Sequence, residues 1–214
     1  MTQKVILAYG DSLTFGHYAE KEKRHAYEDR WPTVLEAGLG GAARVIAEGL
    51  GGRTTAFDDF AASADRNGAT LLPSILSTHT PLDLVILFLG SNDMKSFING
   101  SALGAAHGIK RLVEIIKTHP YSFASPAPKV MVVSPPHLVP TNHPDLGPMF
   151  ADRIQASHEL AGHYERVAKQ AGVGFFDAAK VAVASPFDGI HLDIENTRAI
   201  GAALVPVVKE VLGL

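Results

Sequence analysis

The stretch "AYGDSLTFG", Ala8 to Gly16, closes an apolar run that begins at Val5 and opens a turn at Gly10. Val5–Tyr9 is continuously apolar rather than alternating. That pattern belongs to a short strand buried on both faces, as in a parallel sheet. The turn that follows exposes Asp11 and Ser12 at the strand's carboxyl end. Two readings compete there: a pair of helix-capping residues, or a serine presented as a nucleophile.

The same grammar recurs down the chain. Arg44–Ala47, Leu84–Leu89, Val130–Ser134 and Val173–Phe176 are further short apolar runs. "EGLGGRTT" follows the second run and "GSND" the third, each mixing glycine with small polar residues. Helical periods separate the runs. Leu103, Ala106, Ile109, Leu112, Val113 and Ile116 form one stripe at steps of three and four. Ile154, Ala161, Tyr164, Ala168 and Ala171 form a second, and Ile200, Leu204, Val207, Val208 and Val211 a third. Shorter helices are expected at Trp31–Leu39 and Ala69–Thr78. Pro206 interrupts the last stripe, so that helix is expected to kink or to start there. Strand–helix alternation of this kind predicts an α/β fold of three layers, with a parallel sheet and right-handed crossovers. Sites in such sheets lie at the carboxyl ends of strands, where the glycine-bearing stretches fall. The aperiodic, proline-rich loop "SPPHLVPTNHPDLGP", Ser134 to Pro148, reads as a pocket wall or lid.

Composition bounds the function. The chain has 214 residues, enough for one well-buried domain. With 19 basic and 22 acidic residues its net charge is −3, which gives no electrostatic case for nucleic acid. No apolar run is long enough to span a bilayer, and no signal peptide is read at the N-terminus. Cysteine is absent, which excludes disulfides, thiolate metal sites and a cysteine nucleophile. That suits a reducing cytoplasm, the expected compartment.

A serine hydroxyl needs a base before it can attack. Among ten histidines, His191 stands out through "DGIHLD". Asp188 lies three residues before it, with Gly189 allowing a sharp turn. The Asp188 carboxylate can hold one imidazole nitrogen and leave the other free to act as a base. Acyl transfer also needs donors for an oxyanion. Candidates are the backbone N–H of Ser12, the backbone N–H of Gly52, and the uncharged side-chain amide of Asn92. Asp93 reads as a local helix cap.

Other residues carry less. Phe15, His17, Trp31 and His137 are candidate pocket walls, and Trp31 is equally a core residue. His137 and His143 lack the carboxylate spacing of a metal site, so no metal is expected. His158 and His163 are five apart, off the same helical face. Lys21, Glu22, Lys23 and Arg24 read as a solvated loop. Thr54, Thr55 and Lys95 stand beside the presumed oxyanion donors.

Together, "GDSL" (Gly10–Leu13), Gly52, "GSND" (Gly90–Asp93) and "DGIHL" (Asp188–Leu192) resemble the SGNH (GDSL) hydrolase family along essentially the whole chain. The resemblance implies a flavodoxin-like α/β/α sandwich with a five-stranded parallel sheet, formed by residues 1–214 as one domain. It implies catalysis by Ser12, Asp188 and His191 with Ser12, Gly52 and Asn92 as the oxyanion hole, and no cofactor. Where the second block often carries an asparagine upstream of its glycine, this chain reads "IAEGLGGRTT". Wider wording, including "DRW" and "LFLGSNDMK", is similar to an arylesterase/acyltransferase branch that acts on short acyl esters. Some members of that branch transfer acyl groups to alcohols or peroxide, and some form octamers. The expected partners are therefore a small ester, water or an alcohol acceptor, and a second copy of the chain in a homo-oligomer. A carbohydrate deacetylase, a lysophospholipase and a non-catalytic flavodoxin-like binding module remain as alternatives.

Overall fold

The apolar runs become a parallel sheet in the computed structural model, which describes residues 3–21 and 23–214. In chain order the strands are β1 (Lys4–Gly10), β2 (His17–Tyr18), β3 (Lys23–Arg24), β4 (Ala43–Gly49), β5 (Leu84–Phe88), β6 (Lys129–Ser134) and β7 (Gly174–Asp177). The helices are α1 (Ser12–Phe15), α2 (Trp31–Gly38), α3 (Gly68–His79), α4 (Ala102–Thr118), α5 (Leu146–Phe150), α6 (Ile154–Ser157), α7 (Leu160–Ala171) and α8 (Ile194–Leu212). Five strands form one sheet in the order β4-β1-β5-β6-β7, with every pairing parallel. This is the flavodoxin-like strand order. Its direction of winding reverses at β1, and the crevice at that reversal lies outside the carboxyl ends of β1 and β5.

Strand alternation distributes the core over both faces. Leu7 and Tyr9 of β1, with Val85 and Leu87 of β5, pack against Leu72 and Leu76 of α3, Ile109 and Leu112 of α4, and Tyr164 of α7. Ile6 and Ala8, with Leu84, Ile86 and Phe88, pack the opposite way, against Trp31 and Leu35 of α2 and Ile200, Leu204 and Val208 of α8. Each named side chain in these clusters is essentially without solvent contact. The result is the α/β/α sandwich expected from the alternation.

Several expectations need correction. Leu103 is 49 % exposed; Ala102 and Ala105 occupy the buried stripe of α4 instead. The second stripe is split, because the chain turns at His158–Glu159 between α6 and α7, and Leu160 and Val167 supply burial that Ala161 and Ala171 do not. Pro206 neither starts nor ends α8. It sits on the solvent side together with Ala202, so the carbonyl left without its N–H partner faces water. Lys23 and Arg24 are not plain loop: they pair with Tyr18 and His17 in an antiparallel hairpin. Glu22, read with them as loop, lies outside the described residues. Among the described residues, no helix is long and apolar enough to cross a membrane.

Candidate active site

Gly10 ends β1 where the backbone must pass very close to its neighbours. A Cβ there would lie 2.0 Å from Thr14 Oγ1 and 2.8 Å from the Phe88 carbonyl. The chain then enters α1 at once. The Asp11 carboxylate caps that turn by accepting from Leu13 N (2.9 Å), and Trp31 Nε1 donates to Thr14 Oγ1 from below (3.3 Å). Ser12 is thereby held on a short, braced elbow at the mouth of the crevice.

His191 arrives from 179 residues away, and the hairpin shows how. Tyr18 of β2 bridges Leu192, and His25 Nε2 donates to the Leu192 carbonyl (3.2 Å) while its ring stacks on Tyr18. In the "DGIHL" turn, Asp188 Oδ1 accepts from Ile190 N (3.1 Å) and His191 N (2.9 Å). Its Oδ2 accepts from His191 Nδ1 at 2.6 Å. That contact fixes the tautomer, so Nε2 accepts from Ser12 Oγ at 2.9 Å. Burial raises the Asp188 carboxyl, but the hydrogen bond and charge of His191 outweigh it and hold it below the usual range. Asp188 is therefore ionised where the imidazole needs a counter-charge.

The donors line the same pocket. It has a volume of about 260 Å³ and is bounded by Ser12, Gly52 and Asn92, with His17, Lys95 and His191 among its other walls. Gly52 sits at φ 83° in the turn closed by Arg53 N and the Leu50 carbonyl (3.0 Å), a conformation that favours glycine. Asn92 Nδ2 lies 3.2 Å from the Arg53 carbonyl and 3.4 Å from Asp11 Oδ2, which orients the amide. Asp93 is not the local cap expected from sequence. Its carboxylate accepts from Thr55 N (3.0 Å) and from Thr55 Oγ1, tying the loop after β5 to the loop after β4. Burial pushes both Asp93 and Asp11 up to about 6. Arg53, which the sequence did not single out, buries its guanidinium over Tyr9 and donates to the Gly10 carbonyl (2.9 Å).

The remaining candidates fall in different places. His17 lines the pocket with its ring 4.0 Å from that of His191. His17, Asp188 and His191 each place a potential ligand atom within 4.8 Å of the others, although Asp188 Oδ2 and His191 Nδ1 already bond one another. Phe15 lies outside the pocket under the Arg24 guanidinium (3.9 Å). Trp31 is fully buried in the core, 5.7 Å from Phe88. His137 lies against His158, their rings tilted and 3.9 Å apart, and also does not line the pocket. Lys95 does, with its ammonium paired to Asp59 at 2.9 Å. Leu146, at the end of the proline-rich loop, lines the pocket as expected, while Met149 and Phe150 beyond it and Ile190 in the histidine turn add apolar lining that the sequence did not single out.

Comparison with known proteins supplies the class to which this arrangement belongs. A model of the GDSL-like lipase/acylhydrolase family matches residues 8–195. The crystal structure of a carbohydrate acetylesterase family member from Sinorhizobium meliloti is 51% identical, with a TM-score of 0.97 over 99% of this chain and 100% of that one. The native aryl esterase of M. smegmatis is 42% identical, with a TM-score of 0.93 over 98% and 100%. A carbohydrate acetylesterase from Sinorhizobium meliloti is 38% identical, with a TM-score of 0.93 over 98% and 100%. No curated protein matches the chain. The fold and these likenesses define a carboxylic ester hydrolase acting on small-molecule esters with water. The chain belongs to the GDSL-like lipase/acylhydrolase family.

Proposed function

We propose that residues 1–214 act as one domain that hydrolyses short acyl and aryl esters through an acyl-enzyme on Ser12. His191 Nε2 takes the Ser12 proton as Oγ attacks the ester carbonyl, then gives it to the departing alcohol. Asp188 keeps the imidazole in the needed tautomer and balances its charge. Ser12 N–H, Gly52 N–H and the Asn92 amide receive the oxyanion, each such donor worth about 3 kcal/mol of transition-state stabilisation. For Asn92 this means exchanging the 3.4 Å contact to Asp11 for a shorter one to the oxyanion. Water deprotonated by His191 then releases the acid. An alcohol or peroxide that outcompetes water gives acyl transfer from the same intermediate.

The observation that carries this reading is the unbroken pair of contacts, Ser12 Oγ to His191 Nε2 at 2.9 Å and His191 Nδ1 to Asp188 at 2.6 Å, at the floor of a pocket lined by Gly52 and Asn92. The small pocket volume supports a short acyl group. A fluorophosphonate probe and p-nitrophenyl acetate test it together. The expected result is one-to-one labelling at Ser12, lost in His191→Ala, with ester turnover in the parent protein. Turnover that survives in Ser12→Ala removes the proposal. A panel of p-nitrophenyl esters of rising chain length beside acetylated sugars then distinguishes the short-ester reading from carbohydrate deacetylation, which the named relatives from Sinorhizobium meliloti support as the second reading.

A further inference from the structure

A second cavity adjoins the reaction pocket. It has a volume of about 140 Å³, and its walls include Val139, Pro140, Thr141, Ile154, Asp188 and Gly189. Leu146 and Phe150 of α5 line both spaces and form the partition between them. We propose that this second cavity binds the apolar part of the leaving alcohol, a single aryl ring or a short branched alkyl group, and that Leu146 and Phe150 set which alcohols enter. The proposal rests on the reading of Ser12 and His191 given above.

The shared walls Leu146 and Phe150 place the cavity next to the pocket that holds Ser12 and His191, and its contact with the histidine-bearing turn favours the leaving group. In acyl transfer the imidazole that served as base must protonate the departing oxygen, so the alcohol leaves on the histidine side of the serine. Asp188 and Gly189 belong to the turn that carries His191, and they line the cavity. Gly52 and Asn92, which mark the oxyanion side, do not.

Chemistry and size agree. The two polar side chains that reach the cavity are engaged elsewhere: Asp188 accepts from His191 and Ile190, and Thr141 Oγ1 donates to the Phe187 carbonyl (2.9 Å) and accepts from His143 N (3.1 Å). Most of their hydrogen-bonding capacity is thus already used, and the rest of the wall is largely aliphatic or aromatic. The volume is close to the roughly 150 Å³ of an apolar cavity that accepts benzene.

The partition is built to yield. α5 has five residues, LGPMF, and Pro148 contributes no N–H. Its start is held by His143, whose Nδ1 accepts from Asp145 N (3.3 Å) and Leu146 N (3.2 Å). Leu146 is only half-buried, so a rotamer change opens the way without disturbing the sheet.

Ala151 lines the second cavity and not the reaction pocket. In Ala151→Phe the ratio of kcat/KM for phenyl acetate to that for ethyl acetate should fall about tenfold, chiefly through KM, in keeping with the cost of lost pocket fit. In Ile154→Ala the preference should move from phenyl toward 1-naphthyl acetate. Phenol soaked into crystals of Ser12→Ala should occupy the second cavity. An unchanged ratio in folded Ala151→Phe, or phenol seated only in the reaction pocket, overturns the assignment while leaving ester hydrolysis intact. Failure of the parent protein to turn over either acetate removes the underlying reading instead, and the phenol site then still reports on the cavity by itself.

Discussion

The two walls of the reaction pocket are made by opposite means. The polar wall, from Gly10–Ser12, Gly52–Thr55 and Asn92–Asp93, is almost wholly buried and cross-tied: Asp93 to Thr55, Arg53 to Gly10, Asn92 to the Arg53 carbonyl. The facing wall is a five-residue helix and its flanking loop, much of it half-buried or exposed. Charge that develops on an oxyanion is stabilised only by dipoles already in place. An apolar group needs only area removed from water, which aliphatic and aromatic side chains supply. On the proposed reading, the cross-tied wall is the one that meets developing charge, and the half-buried wall meets the apolar part of the ester.

Breaking the polar side should be severe. Ser12→Ala is expected to cost at least about 10⁴-fold in kcat/KM for p-nitrophenyl acetate, with the thermal midpoint little altered. Asp188→Asn should follow at about 10⁴-fold, because it favours the wrong imidazole tautomer; a loss of only a few fold would show that the 2.6 Å contact does not orient the base. Next comes Asn92→Ala, at about 10²–10³-fold in kcat with KM nearly constant.

Asp93 offers a thermodynamic cut through the same wall. Its carboxyl ionises near pH 6 when folded and near 3.8 when free. Between those values the folded chain holds more protons than the unfolded one, so this group's contribution to stability falls as pH rises through the window. Asp11 acts in the same direction. Asp93→Asn removes one of the two ionisations. Relative to the parent, its melting temperature should therefore gain from pH 4 to pH 7, whatever its absolute value. Parallel melting curves across that range would show that Asp93 stays ionised throughout.

The smallest expected effect lies on the apolar side. His143→Ala removes the acceptor for two amides at the start of α5, a loss of about 1 kcal/mol by analogy with helix caps. We expect KM for p-nitrophenyl acetate to rise a few fold while kcat and global stability hold. If kcat drops as far as in Asn92→Ala, the two walls are not separable.

This asymmetry also explains what could be read from sequence. β1, β5 and β6 are continuous apolar runs because parallel strands are covered on both faces, so their ends were plain, and with them the elbow at Ser12. Asp188 and His191 sit three apart in one turn, and local geometry is legible. The Asp93–Thr55 tie spans 38 residues and has no local signature, so Asp93 passed for a cap. β2 and β3 are two residues each, and β3 is wholly charged; they are held by Leu192 and by Arg24 over Phe15 rather than by any alternation. α5 carries glycine and proline in five residues, which reads as loop. Its apolar side chains become a wall only because the turn at Asp188–His191 stands opposite.

The bridge between Tyr18 and Leu192 has one further implication, for the order in which the molecule is made. Chains are synthesised from the N-terminus, so the elbow bearing Ser12 emerges 179 residues before His191. On the proposed reading, that serine has its base beside it only once the hairpin that carries Tyr18 clasps the turn that carries Leu192.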